Sequence, residues 1–171
     1  LYKIIRYLDL KDIILFGHSD GGSIALISAA RYQEPIRAVI TEGAHVFVED
    51  ITLEGIRVAG EAYANSDLKR KLAHYHGDKT DMVFRMWVET WLRPEYRQWN
   101  IEQLLGGVKC PVLVIQGNAD EYGSIRQVES IRDNTSGSAS VLMPEAGHTP
   151  HRSNMQEVIT ALVAFFGINV G

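Results

Sequence analysis

Apolar positions recur along the chain in two rhythms. Leu1, Ile4, Ile5 and Leu8 fall at i, i+3, i+4 and i+7, the spacing of an amphipathic helix. That spacing gives way to "DIILFG", a short apolar run rich in β-branched residues, which predicts a buried strand from Asp12 to Phe16. "SIALISAARYQ" returns to helical spacing, with Pro35 marking its end. "IRAVITEG" predicts a second buried strand, "CPVLVIQG" a third with Pro111 at its start, and "SASVLMP" a fourth. A helix is expected over "IRQVESIRDN", between the third and fourth strands. Ser153 and Gln156 have the spacing of a capping box. They open a predicted helix whose Met155, Val158, Ile159, Leu162, Val163 and Phe166 form one apolar stripe.

Between the second and third strands, from Val48 to about Gly107, the character changes. Charged and aromatic residues dominate at helical spacing, including Met82, Arg85, Met86, Glu89 and the run from Trp91 to Pro94. Several inserted helices are expected there. Strands that alternate with helices, and that are apolar throughout, argue for an α/β fold: a parallel sheet with helices on both faces. The expected organisation is a core from residues 1–47 and 108–171 with a helical insertion at 48–107. In such sheets ligands bind beyond the carboxyl ends of the strands, so the loops after the strands are the places to search for chemistry.

Composition narrows the partners. A chain of 171 residues with 46% hydrophobic and 22% charged residues is an ordinary globular domain able to bury a core. A net charge of −4 with no basic run argues against a nucleic-acid surface. No apolar run approaches the length that spans a bilayer, and no signal-peptide pattern is visible, so no membrane partner is expected. The one cysteine, Cys110, allows no intrachain disulfide and fits a reducing, cytoplasmic setting; before a proline at a strand start, it reads as a small buried apolar side chain. The chain opens without Met, inside a helical pattern, which reads as a cut through a larger protein.

The first post-strand loop is "GHSDGG". Ser19 has the G-x-S-x-G spacing between a predicted strand and a predicted helix, the context in which that motif carries a nucleophile on a strained turn. Gly17, Gly21 and Gly22 leave room for the turn, and the N–H of Asp20 is one candidate oxyanion donor. A phosphate-binding glycine loop or a plain turn is the competing reading. The loop after the third strand, "GNADEYG", offers Asp120 with Glu121 beside it. Such a carboxylate orients a histidine, although an Asx-turn or helix cap uses the same residue. The loop after the fourth strand, "PEAGHTPH", offers His148, preferred to His151 because it lies nearer the strand end. Glu42, at the end of the second strand, is an alternative acid. His18, His45, Phe47, Trp87 and Trp91 are candidate pocket residues, with packing of core or insertion as the simpler role for the aromatic ones. His74 and His76 stand at i, i+2 and do not share a helix face, so no metal site is expected.

Serine, acid and histidine in that order, each on its own post-strand loop, follow the chain order of one known triad. With "ILFGHSDGG", "KCPVLVIQGNADEYG" and "MPEAGHTPH", the sequence resembles the α/β-hydrolase superfamily over essentially its whole length. The resemblance implies Ser19 as nucleophile, Asp120 as acid, His148 as general base, and a helical cap at 48–107. It implies hydrolysis of carboxylic esters or related small acyl substrates through an acyl-enzyme, without a cofactor; a lactonase, peptidase, C–C bond hydrolase or perhydrolase shares the triad. A haloalkane dehalogenase is disfavoured, because that chemistry uses an aspartate where Ser19 stands. The departure is at the front. Four strands are found where the family usually has eight, and the loop that supplies the second oxyanion N–H precedes them in the family. Loss of one such donor costs about 2.7–4 kcal/mol of transition-state stabilisation. The expectation is a chain truncated at its N-terminus, with an open sheet edge that favours a homo-oligomer or the missing half. A catalytically incomplete fragment acting as a structural or binding module is the alternative.

Overall fold

The computed structural model describes residues 1–167; the last four residues of the expected core lie outside that range. Four strands form one sheet in the order β1 (Ile13–His18), β2 (Ile36–Glu42), β3 (Val112–Ile115), β4 (Ala139–Leu142), with every neighbouring pair parallel. Parallel neighbours require crossovers, and helices supply them. They include α2 (Asp20–Arg31) between β1 and β2 and α7 (Ile125–Asn134) between β3 and β4. A short helix α1 (Tyr2–Tyr7) precedes β1, while α8 (Pro150–Ser153) and α9 (Met155–Phe166) follow β4.

Strand alternation divides the core. Ile40, Leu113 and Ile115 form one buried cluster with Val158 of α9, and Leu142, Leu162, Phe165 and Phe166 pack against it. Val39, Val112 and Val114 point to the opposite face and are equally buried; α2 packs on β1 and β2, and α7 on β3 and β4. Burial on both faces explains why β3 reads as four apolar residues in a row.

The chain divides into two compact units, 1–47 with 100 onward, and 48–99. The second unit starts where expected but ends eight residues before Gly107. Residues 100–107 pack with the sheet-bearing unit: the Ile101 N–H donates to Val46 O at 2.8 Å, and Leu105, on the short α6 (Glu102–Leu105), is fully buried. The inserted unit holds α3 (Asp50–Asn65), α4 (Leu68–His76) and α5 (Thr80–Trp91). Its interior is aromatic. Tyr63 stacks on Phe84 at 3.9 Å, and Trp91, Tyr96 and Trp99 form a second cluster with ring centroids 5.2–5.8 Å apart.

Two sequence expectations are corrected. Ser153 does not open the last helix. It ends α8, its hydroxyl turns back to the Thr149 carbonyl, and Asn154 takes the N-cap position of α9. Pro150 starts its own short turn, and that shifts the helix start past the apparent capping box. The apolar stripe of α9 is also narrower than its periodicity predicts, because Met155 and Ile159 are exposed. The same holds for α1, where Ile5 is buried while Leu1, Ile4 and Leu8 are not.

Candidate active site

Ser19 stands between the last residue of β1 and the first of α2 with φ 53° and ψ −123°, a backbone conformation that L-residues adopt only under strain. The turn is held from two sides. The Ser19 N–H donates to the Glu42 carbonyl at 2.8 Å, and the Ser19 carbonyl accepts the Gly22 N–H at 2.9 Å. It is also very tight: a Cβ on Gly17 would lie 2.2 Å from the Gly21 carbonyl oxygen. Glycine at 17 is therefore a steric requirement of the turn. Asp20 is the first residue of α2, so its N–H belongs to the helix end that attracts developing negative charge.

Asp120 and His148 meet. His148 Nδ1 lies 2.9 and 3.0 Å from the two carboxylate oxygens of Asp120. A carboxylate only accepts, so Nδ1 carries the proton and Nε2 is left as the basic nitrogen. The Asp120 side chain is 1% exposed and that of His148 11%. Asp120 Oδ1 also accepts the Tyr122 N–H at 2.9 Å, so the Asx-turn and the histidine contact share one carboxylate. The pair lies over Gly43, the residue after β2, whose φ is +59°. A Cβ there would come within 2.8 Å of His148 Cε1. Ser19 and the pair thus converge on Glu42–Gly43, one through the Glu42 carbonyl and the other through the Gly43 Cα.

The expected pocket residues separate. His18 joins the site: its Nε2–H donates to the His148 carbonyl at 2.9 Å, and the two rings are 4.8 Å apart. His45 is 3% exposed and donates from Nε2 to the Tyr122 carbonyl at 3.0 Å, which ties the loop after β2 to the acid loop. Burial holds its pKa below the ordinary histidine value, against the upward pull of the Tyr122 hydrogen bond. Phe47 is half-buried under the Arg126 guanidinium, 5.3 Å from its ring. Trp91 is 4% exposed inside the aromatic cluster of the inserted unit, and Trp87 packs edge-on against Phe84 of the same helix. Both tryptophans have packing roles there.

Three features of the site were not read from the sequence. Glu121 Oε2 accepts the His148 N–H at 3.1 Å. The Tyr122 ring lies 4.7 Å from that of His148, and burial, with Glu121 and Asp120 nearby, raises its phenol pKa. Gln116 is 2% exposed and donates to the Gly123 carbonyl at 2.7 Å, fixing the acid loop. The signal for Gln116 was present: a glutamine closing an otherwise apolar strand needs a buried partner. Among the described residues no group of three or more His, Cys, Asp or Glu side chains is placed to hold a metal ion, and none of the helices is long and apolar enough to cross a membrane.

A positive-φ serine at a strand-to-helix turn and a histidine paired with a buried aspartate, both at the carboxyl end of one parallel sheet, fit the arrangement of an α/β hydrolase. The chain matches the alpha/beta hydrolase family over residues 3–161 and belongs to it. It is similar to the human and mouse proteins named Serine hydrolase BPHL, at 31% identity over 153 residues in each case. The match covers 86% of this chain and 52% of each relative, so the chain spans about half the length of the curated relatives it matches. Solved structures agree on the fold. A putative non-heme bromoperoxidase, BpoC, from Mycobacterium tuberculosis H37Rv superposes with a TM-score of 0.68 at 18% identity, over 99% of this chain and 72% of that one. A serine hydrolase involved in carbazole degradation, the CarC enzyme, does so at 0.67 and 19%, over 93% and 65%.

Proposed function

We propose that this hydrolase acts on carboxylic esters or related acyl substrates through Ser19, His148 and Asp120. The observation that carries the reading is the two-oxygen contact of buried Asp120 with His148 Nδ1, beside a serine in strained positive-φ geometry. In this reading His148 Nε2 takes the Ser19 proton as Oγ attacks the acyl carbon. Charge develops on the carbonyl oxygen and is met by the Asp20 N–H. His148 then returns the proton to the leaving group. A water activated by the same nitrogen attacks the acyl-enzyme and releases the acid. Asp120 keeps the tautomer and stabilises the imidazolium. A carboxylesterase is the default within the class, with a lactonase, peptidase or C–C hydrolase sharing the same machinery. The inserted unit is proposed as the cap on its place in the chain between β2 and β3. A cytoplasmic setting and self-association through the open β1 edge belong to the same proposal.

The second reading, a module that carries the site without turnover, is favoured by the exposed apolar residues of that edge, Ile14 and Phe16. A fluorophosphonate probe followed by intact mass separates the two. Stoichiometric labelling that is lost in Ser19→Ala and in His148→Ala supports the enzyme. No labelling of a folded protein supports the module.

A further inference from the structure

Asp120–His148 is not the only histidine–carboxylate pair at this end of the sheet. Glu42 closes β2, and its side chain is 1% exposed. One carboxylate oxygen accepts the His151 N–H at 2.6 Å, and the other lies 2.7 Å from His151 Nδ1. His151, three residues after His148, is 44% exposed at its side chain. A buried carboxylate is a costly way to finish a strand, and an apolar side chain would fill the space at lower cost. What the carboxylate adds is direction: two bonds that fix one residue's main chain and ring together.

The placement of Glu42 gives that direction a use. It pairs with His18 on the nucleophile strand and with Ile115 on the acid strand. Its carbonyl accepts the Ser19 N–H at 2.8 Å, while its carboxylate holds the segment that begins at His148. The next residue, Gly43, lies beneath the His148 ring. His18 adds a second tie from the nucleophile side to the same segment, through the His148 carbonyl.

We infer that Glu42 is a positioning residue: it staples the Ser19 turn to the His148 loop, its main chain holding the nucleophile and its carboxylate holding the base through His151. The inference rests on the assignment of Ser19, Asp120 and His148 above. Misplacing a catalytic group by about 1 Å costs on the order of 100-fold in rate.

The test is a variant series on the protein, read by turnover of an activated ester, by the rate of fluorophosphonate labelling, and by the low-field proton resonances of the two Nδ1–H groups. Glu42→Gln keeps the volume and one acceptor but removes the charge. It is expected to slow kcat and labelling by about 100-fold with KM within about twofold, and to displace the His148 resonance as well as that of His151. His151→Leu, at a half-exposed position that tolerates change, removes the His151 resonance and should slow kcat and labelling and displace the His148 resonance in the same way. His151→Asn places a donor near the position of Nδ1 and should recover most of the loss. Wild-type labelling and an unmoved His148 resonance in folded Glu42→Gln would overturn the inference. So would failure of His151→Asn to recover the rate, since that would assign the work to the imidazole itself. The resonances are read without turnover. An inactive wild type whose His148 signal still moves in Glu42→Gln would therefore sink the proposed activity and leave the staple standing.

Discussion

The carboxyl end of the sheet and its β1 flank are built from the same strands, yet they handle polarity in opposite ways. At the carboxyl end, Glu42 and Asp120 are withdrawn from water, and each gives both oxygens to a histidine-bearing segment. At the flank, Ile14 and Phe16 are 43% and 51% exposed. The register pairs Phe16 with Ile40, so these residues continue the face that α9 covers at β3 and β4. Burying charge is expensive and is kept only where dense pairing offsets it. Exposing apolar surface is cheap for a folded chain but creates a face that associates. The first region carries the proposed chemistry and the second the proposed contact surface.

The largest expected effect lies at the buried end. Asp120→Asn preserves shape but favours the wrong histidine tautomer, and kcat on an activated ester should fall by about 10⁴-fold with little change in melting temperature. A loss below tenfold would mean that Asp120 does not serve as the acid. Next comes Gly17→Ala. Its methyl group meets backbone and cannot be relieved by a side-chain rotation, so a loss of about 2 kcal/mol or more is expected, read as a fall of roughly 4–8 °C in Tm.

Buried His45 supplies a smaller, pH-dependent effect. Burial depresses its folded pKa, so the unfolded chain takes up a proton first as pH falls below about 6.5. Its stabilising contribution is complete above that value and is lost as pH falls toward the folded pKa, with a slope of at most about 1.4 kcal/mol per pH unit. Thermal melts from pH 7.5 to 5 should show the slope, and His45→Gln should flatten it. The smallest effect on stability belongs to the flank. Phe16→Glu should change stability by about 0.5 kcal/mol or less, while reducing the concentration dependence of the sedimentation coefficient. A destabilisation as large as that of Gly17→Ala would show Phe16 to be core and remove the contrast between the two regions.

Local physics made much of this legible before any coordinates. β-branched apolar runs located the four strands, and the helix over Ile125–Asn134 matches its periodic stretch. Glycines around Ser19 announced a crowded turn, and Gly17 and Gly22 are where a Cβ would collide, while the space around Gly21 is open. Post-strand placement selected Asp120 and His148, which the structure joins. Periodicity was less informative where burial depends on neighbours. Leu1, Ile4, Met155 and Ile159 have the right spacing and remain exposed, since a pattern states which face is apolar and not whether anything covers it. The apparent capping box failed for a similar reason: Pro150 had already started a helical turn through Ser153.

The sequence by itself determined the α/β class, the order of elements and the placement of Ser19, Asp120 and His148 on successive post-strand loops, because these follow from residue type, spacing and chain order. Only the tertiary structure decided which histidine takes which acid. Glu42 and His151 are separated by 109 positions along the chain and meet because β2 lies inside the sheet between β1 and β3. Partner choice among buried charges is a property of three-dimensional proximity and desolvation, and neither is written in local spacing.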